Sequence, residues 1–358
     1  MATESERDSL DEYRAKRDFA RTPEPAGARP KRRPKGAPRF VLQQHDATRL
    51  HWDLRLERDG ALPSWALPRG VPWHPDRNHL AVHTEDHPLE YLTFEGDIPE
   101  GEYGAGRMFV WDTGWYETEK WTSSKMVVVL HGERAQGRYA LFQTKGRDWM
   151  IHRMDPPADP TREPVPTDLR PMLAVPGDLP ADEGWAFEVR WSGERALVAA
   201  STGAVDVTAA DGSDISEAFP EVRRIGRALG STEVVLDTVL VGSGEGRASI
   251  DRRLGARSDS VIRRLARDQP AAAVVVDLLW IDGHPVIDVP WSERRQALDD
   301  LALDGPAWRT PSAHHGDGEA LLDAARTQRL SGLVAKRVDA LYQPGQRSDD
   351  WVDIGLGG

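Results

Sequence analysis

Short apolar runs recur between residues 40 and 153, and each has the length and composition of a β-strand. The runs are rich in β-branched and aromatic residues, and Gly and Pro separate them at close intervals, as in strands joined by turns. Almost none of this region has a helical period, so we predict a compact β-barrel or β-sandwich. The runs are FVLQQH (40–45), HWDLRLE (51–57), LAVHT (80–84), MFVWD (108–112), MVVVLHG (126–132) and YALFQT (139–144).

The pattern changes after residue 170. Strand-like runs then alternate with segments whose apolar residues recur at i, i+3 and i+4, which is the spacing of one helix face. We therefore predict an α+β domain for this half. Its strand-like runs are WAFEV (185–189), EVVLD (233–237), AAVVVDLLWI (272–281) and GLVAKR (332–337), and its helical segments are ISEAFPEVRRIGRAL (215–229) and SERRQALDDLAL (292–303).

The two regions are separated by residues 155–171, which hold six prolines, as is typical of an interdomain linker. We predict an α+β multidomain chain. Its parts are a polar N-terminal arm over 1–39, a β-barrel domain over 40–155, a Pro-rich linker over 156–170 and an α+β domain over 171–358. Within the arm, KRRPKGAPR (31–39) carries five basic residues and no acid. It fits either a solvated linker or a flexible arm that touches phosphate groups.

Composition narrows the choice of function. Cysteine is absent, which excludes disulfides, thiolate metal sites and cysteine nucleophiles and fits a reducing cytoplasm. No apolar run approaches the ~18 residues that span a bilayer, and the charged N-terminus lacks the apolar core of a secretory signal. We therefore expect a cytoplasmic protein without membrane partners. The net charge of −12 argues against a general nucleic-acid binder. However, residues 1–160 hold 24 basic and 26 acidic residues, and the acidic surplus lies in the second half.

The most informative stretch is QQHDATRLHWDLRLE (43–57). On a strand, His51, Asp53 and Arg55 share one face, and the apolar residues between them share the other. His51, Asp53 and the nearby His45 form a mixed N/O ligand set without sulfur, which suits manganese, zinc or iron. A guanidinium beside a cation is repelled unless an anion lies between them, so Arg55 indicates a phosphate ester substrate. The same pattern also fits a solvent-facing polar strand whose His, Asp and Arg only bind one another.

A second cluster lies in HLAVHTEDHPLEY (79–91). His87 and Tyr91 are four residues apart and meet on one side of a turn, where His87 can bind a phosphate or protonate a leaving oxygen and Tyr91 can donate a hydrogen bond. We interpret His79 and His83 as structural. The Gly-rich segment FEGDIPEGEYGAG (94–106) is not followed by the GK[ST] of a phosphate-binding P-loop.

Together these segments resemble the 3′-phosphoesterase module of bacterial DNA ligase D. The resemblance covers roughly residues 10–155, through RDFARTPEP (17–25), residues 40–57, SWALPRG (64–70), AVHTEDHPLEY (81–91) and residues 94–106. It implies a small β-barrel enzyme that removes a terminal ribonucleoside and then the 3′-phosphate from DNA 3′ ends, with manganese preferred. It also implies site residues. His45, His51 and Asp53 would bind the metal, and Arg55, His87 and Tyr91 would contact the phosphate. Arg17, Asp18 and Glu24 match the family's N-terminal motif. Arg69 stands for a family Lys as a substrate-binding cation, and His79 stands for a frequent Arg.

Residues 170–354 resemble the adenylation domain of ATP-dependent DNA ligases. The resemblance lies in PMLA (171–174), WAFEVRWSGERA (185–196), VVLDTVLV (234–241), VVDLLWIDG (275–283), SGLVAKR (331–337) and YQPGQRSDDWVDIG (342–355). The family's nucleophilic Lys is replaced by Arg190, whose guanidinium stays protonated and cannot attack ATP. The other replaced positions are Ser192 for Asp, Val239 and Ser331 for Glu, and Asp353 and Gly355 for Lys, whereas Lys336 is retained. The OB-fold of complete ligases would begin near Gly358, where this sequence ends, so we expect none.

We therefore predict a metal-dependent 3′-end-processing phosphoesterase of break repair, joined to a catalytically inactive ligase-like domain that forms no covalent adenylate. The alternative from another class is a non-catalytic DNA-end-binding or scaffold protein of break repair, for which a complete His45, His51 and Asp53 set has no purpose. A working ligase is excluded by Arg190 unless another Lys is adenylated. The expected partners are DNA or RNA-tipped 3′ ends and break-repair proteins such as Ku or a separate ligase or polymerase.

Overall fold

The computed structural model describes residues 10–27, 36–47, 50–157, 159–201, 204–230, 232–243 and 247–356. Most of the basic segment 31–39 therefore lies outside the described residues. The chain divides into two compact units, Met1–Pro160 and Thr161–Gly358. None of the helices in the described ranges is long and apolar enough to cross a membrane.

The first unit consists mainly of strands. Its elements are α1 (Asp11–Ala15), β1 (Arg39–Asp46), β2 (Leu50–Leu56), β3 (Ser64–Leu67), β4 (His79–His83), a 3-10 helix (Leu89–Thr93), β5 (Gly96–Ile98), β6 (Gly106–Trp121), β7 (Lys125–His131), β8 (Gln136–Lys145) and β9 (Asp148–Arg153). The hydrogen-bonded order is β1-β2-β3-β4-β9-β8-β7-β6, and β6 pairs back to β1. Eight strands thus close into a barrel, and β5 adds to β6 outside the ring. The predicted β-barrel or sandwich is therefore a barrel.

Two apolar clusters lie on the two faces of this barrel wall. The inner cluster fills the barrel, because alternate residues of its strands point inward. It includes Phe40, Leu42, Trp52, Leu54, Leu56, Trp65, Leu67, Tyr116, Val128, Leu130, Leu141, Trp149 and Ile151. The outer cluster covers β1 and β6 from outside and consists of Tyr13, Val41, Leu62, Tyr91, Leu92, Ile98 and Met108. It anchors the N-terminal segment 10–27 and the 3-10 helix to the barrel.

The N-terminal residues differ from the predicted arm. Leu10 and Tyr13 are buried, at 4% and 0% exposure, and the Tyr13 hydroxyl donates to the carbonyl of Pro25 at 2.6 Å. Residues 10–27 therefore pack on the barrel unit rather than extending into solvent. Their polar composition concealed this, because the segment contributes buried charged groups as well as apolar ones.

The second unit combines two sheets with helices. Its elements are β10 (Leu173–Pro176), β11 (Trp185–Val189), β12 (Glu194–Ser201), β13 (Ala204–Ala209), two 3-10 helices (Ser216–Ala218 and Val222–Arg224), α2 (Ile225–Leu229), β14 (Val234–Gly242), α3 (Arg247–Gly255), α4 (Asp259–Asp268), β15 (Ala271–Ile281), β16 (His284–Pro285), α5 (Trp291–Asp300), β17 (Asp304–Gly305), β18 (Trp308–Arg309), β19 (His314–His315), α6 (Gly318–Thr327), β20 (Gly332–Arg337) and β21 (Arg347–Gly355). The strand orders are β10-β21-β20-β11-β19 and β13-β12-β14-β15-β18-β17.

The two sheets of this unit face each other. Met172 and Trp351 from the first sheet's side pack with Leu197, Val235 and Leu279 from the second. Residues of α2, α3 and α5 cover the outer face of the second sheet, and α6 covers the first. This arrangement is the predicted α+β architecture. The helix predicted over 215–229 is wrong in its first part, which forms two 3-10 helices. Pro220 lies between them and lacks the N–H that a continuous helix needs.

Candidate active site

A row of polar side chains lies on the outer face of β2. His51, Asp53 and Arg55 point away from the barrel, whereas Trp52 and Leu54 belong to its inner cluster. The polar row is nevertheless enclosed, since Asp53 is 5% and Arg55 is 2% exposed. The N-terminal segment, the 3-10 helix and the loop before β6 enclose it and leave a pocket of about 210 Å³. The alternation predicted for residues 50–56 is thus present in the structure.

His45, His51 and Asp53 lie close enough together that they could hold a metal ion. β1 and β2 pair so that His45 lies directly opposite His51. Ligand atoms of His45, His51 and Asp53 all lie within 4.8 Å of one another. His45 Nδ1 and His51 Nε2 each lie 3.7 Å from a carboxylate oxygen of Asp53. Donors about 2.0–2.2 Å from a shared ion are roughly 3–3.5 Å apart, so a small inward adjustment would complete the site.

The orientation of His45 supports a ligand role. Its Nε2 lies 2.8 Å from the carbonyl oxygen of Gly104, which can only accept, so Nε2 donates and Nδ1 keeps its lone pair toward Asp53. Burial lowers the pKa of His45 below its usual value, which favours the neutral ring that binds metal. Gly106 holds this loop close to β1, because a Cβ at Gly106 would collide with the carbonyl of Asp46.

Arg55 is fixed by three bonds. Its Nε donates to Gln43 Oε1 at 2.7 Å, its Nη1 to Ser64 Oγ at 3.1 Å and its Nη2 to Asp53 Oδ2 at 2.8 Å. These bonds use three of the five donors of a guanidinium, so two remain for a substrate oxygen. The guanidinium also lies 4.7 Å from the centre of the Tyr91 ring. The fork is therefore preorganised beside the metal-ligand group.

His87 lies on the other side of the pocket and is 4% exposed. Its Nδ1 donates to the Glu85 carbonyl at 2.8 Å, and Arg17 Nη2 lies 3.3 Å from its Nε2. Burial, with the Arg55 and Arg17 guanidiniums nearby, holds the pKa of His87 well below its usual value. In this state the ring is neutral and its Nε2 accepts. His87 must therefore gain a proton, or change tautomer, before it can donate to a phosphate or a leaving oxygen.

Tyr91, on the 3-10 helix, is completely buried. Its hydroxyl donates to Glu24, and burial raises its pKa far above the ordinary value. Tyr91 therefore remains protonated as a donor. Arg17 Nε binds the same Glu24 at 2.7 Å, so the N-terminal segment joins His87 and Tyr91 in one network.

Sequence reasoning from individual motifs missed two members of this network. Glu85 is buried at 4% exposure, and its carboxylate binds Arg17 at 3.0 Å and Lys16 at 2.9 Å, which lowers its pKa. Gln43 donates from its amide nitrogen to the carbonyls of Tyr91 and Phe94, at 3.0 and 2.7 Å, while accepting from Arg55. The available clue was that Gln43 is a polar residue inside a β-like run and that Glu85 directly follows one.

Other predicted residues lie elsewhere. Arg69 is exposed in the turn after β3, and the residues lining the pocket do not include it. His79 Nδ1 lies 2.9 Å from the carbonyl of Gly70, which ties β4 to that turn. The ring of His83 packs between Trp65 and Trp149. Asp18 is exposed, and its Oδ1 accepts a hydrogen bond from the backbone N–H of Ala20 at 3.1 Å.

The second unit has its own pocket, of about 270 Å³, and four of the ligase-like positions line it: Arg190, Val239, Lys336 and Asp353. Lys336 is 1% exposed, and its Nζ binds Glu188 Oε2 at 2.9 Å and the carbonyl of Val276 at 2.6 Å. Arg190 Nε donates to Asp353 Oδ1 at 2.6 Å. The cation at the predicted nucleophile position is therefore paired with the carboxylate at a position where the resemblance predicts a family lysine.

The remaining substituted positions are apolar or uncharged. Val239 lines the pocket and forms an apolar cluster with Val274, Val276 and Trp191. The hydroxyls of Ser331 and Ser192 lie 3.0 Å apart. Gly355 ends β21 and is exposed. The pocket lining thus includes Arg190, Val239, Lys336 and Asp353 but not Ser192, Ser331 or Gly355, and no side-chain carboxylate stands at residue 239.

The comparisons agree with this division. Residues 43–143 match the family described as DNA Ligase D 3′-phosphoesterase domain, and residues 171–354 match the ATP dependent DNA ligase domain. The second match covers more than half of the chain, which therefore belongs to the ATP-dependent DNA ligase domain family. Over both units the chain is homologous to LigD.

Two relatives are multifunctional non-homologous end joining proteins named LigD. The chain is 40% identical to that of Mycolicibacterium smegmatis, over 96% of this chain and 45% of that protein. It is 32% identical to that of Pseudomonas aeruginosa, over 96% of this chain and 47% of that protein. A solved structure, mycobacterial DNA ligase D complexed with ATP and MES, is 33% identical over 53% of this chain and 60% of its own, with a TM-score of 0.44. The chain thus spans about half the length of the curated relatives it matches.

Proposed function

We propose that the first unit is a metal-dependent phosphoesterase that processes DNA 3′ ends in break repair, removing a 3′-terminal ribonucleoside and a 3′-phosphate. The observation that carries the proposal is the group of His45, His51 and Asp53, in which His45 and Asp53 are buried and His51 is partly buried, with Arg55 fixed at its edge. A solvent-facing polar strand would not bury these charges around a pocket.

The chemistry divides among the residues of the pocket. A divalent ion such as Mn²⁺, held by His45, His51 and Asp53, would supply Lewis-acid polarisation of the phosphate and a more acidic water. Arg55 aims its remaining donors at phosphate oxygens and, with the metal group, favours an anion between them. To contact the phosphate, the Tyr91 hydroxyl would have to turn away from Glu24, to which it now donates, and His87 would have to carry a proton at Nε2. Arg69, which lies in the exposed turn, would reach only the flanking DNA.

The test uses the full chain with two primer-templates, one ending in a 3′-phosphate and one in a 3′-ribonucleotide. In Mn²⁺ we expect the 3′-phosphate end to release phosphate and become a 3′-hydroxyl. The 3′-ribonucleotide end should lose its terminal ribonucleoside and then the 3′-phosphate left behind. Neither reaction should occur in excess chelator. Full activity with chelator would contradict the metal assignment. Tight binding of these ends without conversion would favour the alternative, a non-catalytic DNA-end-binding or scaffold module.

We also propose that the second unit is a catalytically inactive ligase domain. Arg190 cannot act as a nucleophile, and its ion pair with Asp353 at 2.6 Å neutralises both side chains within the pocket. Val239, in an apolar cluster, offers no metal-binding oxygen. A nick made ligatable by the first unit would then need a separate ligase. Break-repair proteins such as Ku, a ligase or a polymerase are the proposed partners.

A further inference from the structure

Two tyrosines line the pocket, and they differ in exposure. Tyr91 is completely buried, whereas Tyr103 is 47% exposed. It lies in the loop between β5 and β6, next to Gly104, whose carbonyl orients the metal-ligand candidate His45. An exposed aromatic ring therefore stands at the pocket that His45, His51, Asp53 and Arg55 also line.

The ring is held in place from two sides. Lys16 Nζ lies 5.0 Å from its centre and the Arg17 guanidinium 5.4 Å, both within the range of cation–π attraction. The preceding residue, Glu102, binds Arg21 at 3.0 Å. These contacts tie the loop to the N-terminal segment. Since nearly half of the residue stays exposed, ring surface remains for an incoming flat group.

We propose that Tyr103 is a stacking platform for the nucleobase of the nucleotide that bears the processed phosphate. The proposal rests on the proposed function of the first unit and adds a residue, Tyr103, that positions the 3′ end of the DNA strand. A base attached to a sugar whose phosphate lies at Arg55 extends from the pocket, and the Tyr103 ring is the exposed aromatic surface at that pocket. Stacking on an aromatic side chain accepts every base, which suits an enzyme that meets ends of any sequence.

The experiment is a double-mutant cycle in which one change is made in the protein and the other in the DNA. Tyr103→Ala and Tyr103→Phe are compared with wild type on 3′-phosphate primer-templates whose terminal nucleotide carries a base or is abasic. Trp115→Ala is the matched control, because Trp115 is a 43% exposed aromatic residue of the same unit outside the pocket lining.

We expect Tyr103→Ala to lower kcat/KM roughly 5- to 100-fold on the base-bearing end, the range that stacking on one base provides. On the abasic end the same substitution should change kcat/KM less than about 2-fold, since the partner ring is missing. Tyr103→Phe and Trp115→Ala should behave as wild type. Equal losses on both ends, or none on the base-bearing end, would overturn the proposal.

A binding measurement separates this inference from the phosphoesterase assignment. A primer-template with 2-aminopurine as its 3′-phosphorylated terminal base should lose fluorescence when wild type binds in Mn²⁺, and less so with Tyr103→Ala. If wild type quenches this base but releases no phosphate, stacking stands and the proposed function fails. If it releases phosphate without quenching, the proposed function stands and stacking is refuted.

Discussion

Replacing Arg55 by Lys keeps the charge and removes the fork. A lysine has a single side-chain nitrogen, which can donate to Asp53 but cannot reach Gln43 at the same time. Gln43 cannot turn away, because its amide nitrogen already donates to two backbone carbonyls. In Arg55→Lys, the buried Oε1 of Gln43 therefore loses its hydrogen-bond donor, the Arg55 Nε that lies 2.7 Å away in wild type. A buried acceptor without a hydrogen bond lowers the free energy of unfolding by about 1–3 kcal/mol. The loss of the bond to Ser64 should matter little, because the Ser64 hydroxyl still donates to the carbonyl of Leu62.

For a unit of this size, that loss corresponds to a decrease in Tm of roughly 2–12 °C, which differential scanning calorimetry measures. We expect the substitution also to lower catalytic efficiency, and this loss should exceed what the decrease in stability would cause. If the fork grips the phosphate, one lost charge-assisted bond lowers kcat/KM about 10- to 100-fold on a 3′-phosphate end. Mn²⁺ affinity, measured by calorimetric titration, should change much less, since the metal-ligand group itself is untouched.

Arg107→Lys is the matched control, because the Arg107 side chain is 62% exposed and lies 3.7 Å from Asp97. It should leave Tm, metal affinity and activity close to wild type. Unchanged activity in Arg55→Lys would refute the phosphate role of Arg55. A fall in Mn²⁺ affinity that matches the fall in activity would show that Arg55 serves the metal site instead.

Three further results are expected. Asp53→Asn should retain the circular dichroism spectrum of wild type but lose Mn²⁺ binding and most phosphoesterase activity; normal Mn²⁺ binding would remove Asp53 from the ligand set. As the pH falls through ~6.5, His87 should stay neutral and protonated at Nδ1 in the free protein, because its folded pKa lies below the unfolded value. The nitrogen chemical shifts of the His87 ring, measured by NMR, report this protonation state. An imidazolium at that pH would contradict the prediction. Neither wild type nor Arg190→Lys should gain AMP when incubated with ATP and Mg²⁺, since Val239 still offers no metal ligand; intact-protein mass spectrometry would reveal an adduct on either.

Local pattern was enough to predict the polar face of β2. Strand alternation alone placed His51, Asp53 and Arg55 together, because the period of a strand is two residues whatever surrounds it. The position of His45 opposite His51 required the register of the β1–β2 pair, which the spacing suggested but did not determine. The candidate metal-ligand residues could therefore be found almost entirely from neighbouring positions in the sequence.

Other features depend on contacts between distant residues. Barrel closure pairs β1 with β6, and no local period reports which two strands meet. Glu85 reaches Lys16 and Arg17 from 69 and 68 residues away, so its role appears only when the N-terminal segment folds back. Each substitution around Arg190 could be recognised from the sequence. The ion pair between Arg190 and Asp353 could not, because the two residues are separated by 163 positions.

The barrel wall separates two apolar clusters that share no residue, and the pocket belongs to the outer one. Detaching residues 10–27 would therefore withdraw Arg17 and Glu24 from the pocket while the interior of the barrel stayed packed. Such partial openings have lower free energies than global unfolding, because they expose only a fraction of the buried surface. Heat or denaturant should therefore abolish the proposed phosphoesterase activity before the barrel unfolds. The midpoint of inactivation would then report how firmly residues 10–27 bind to the barrel rather than the stability of the whole unit.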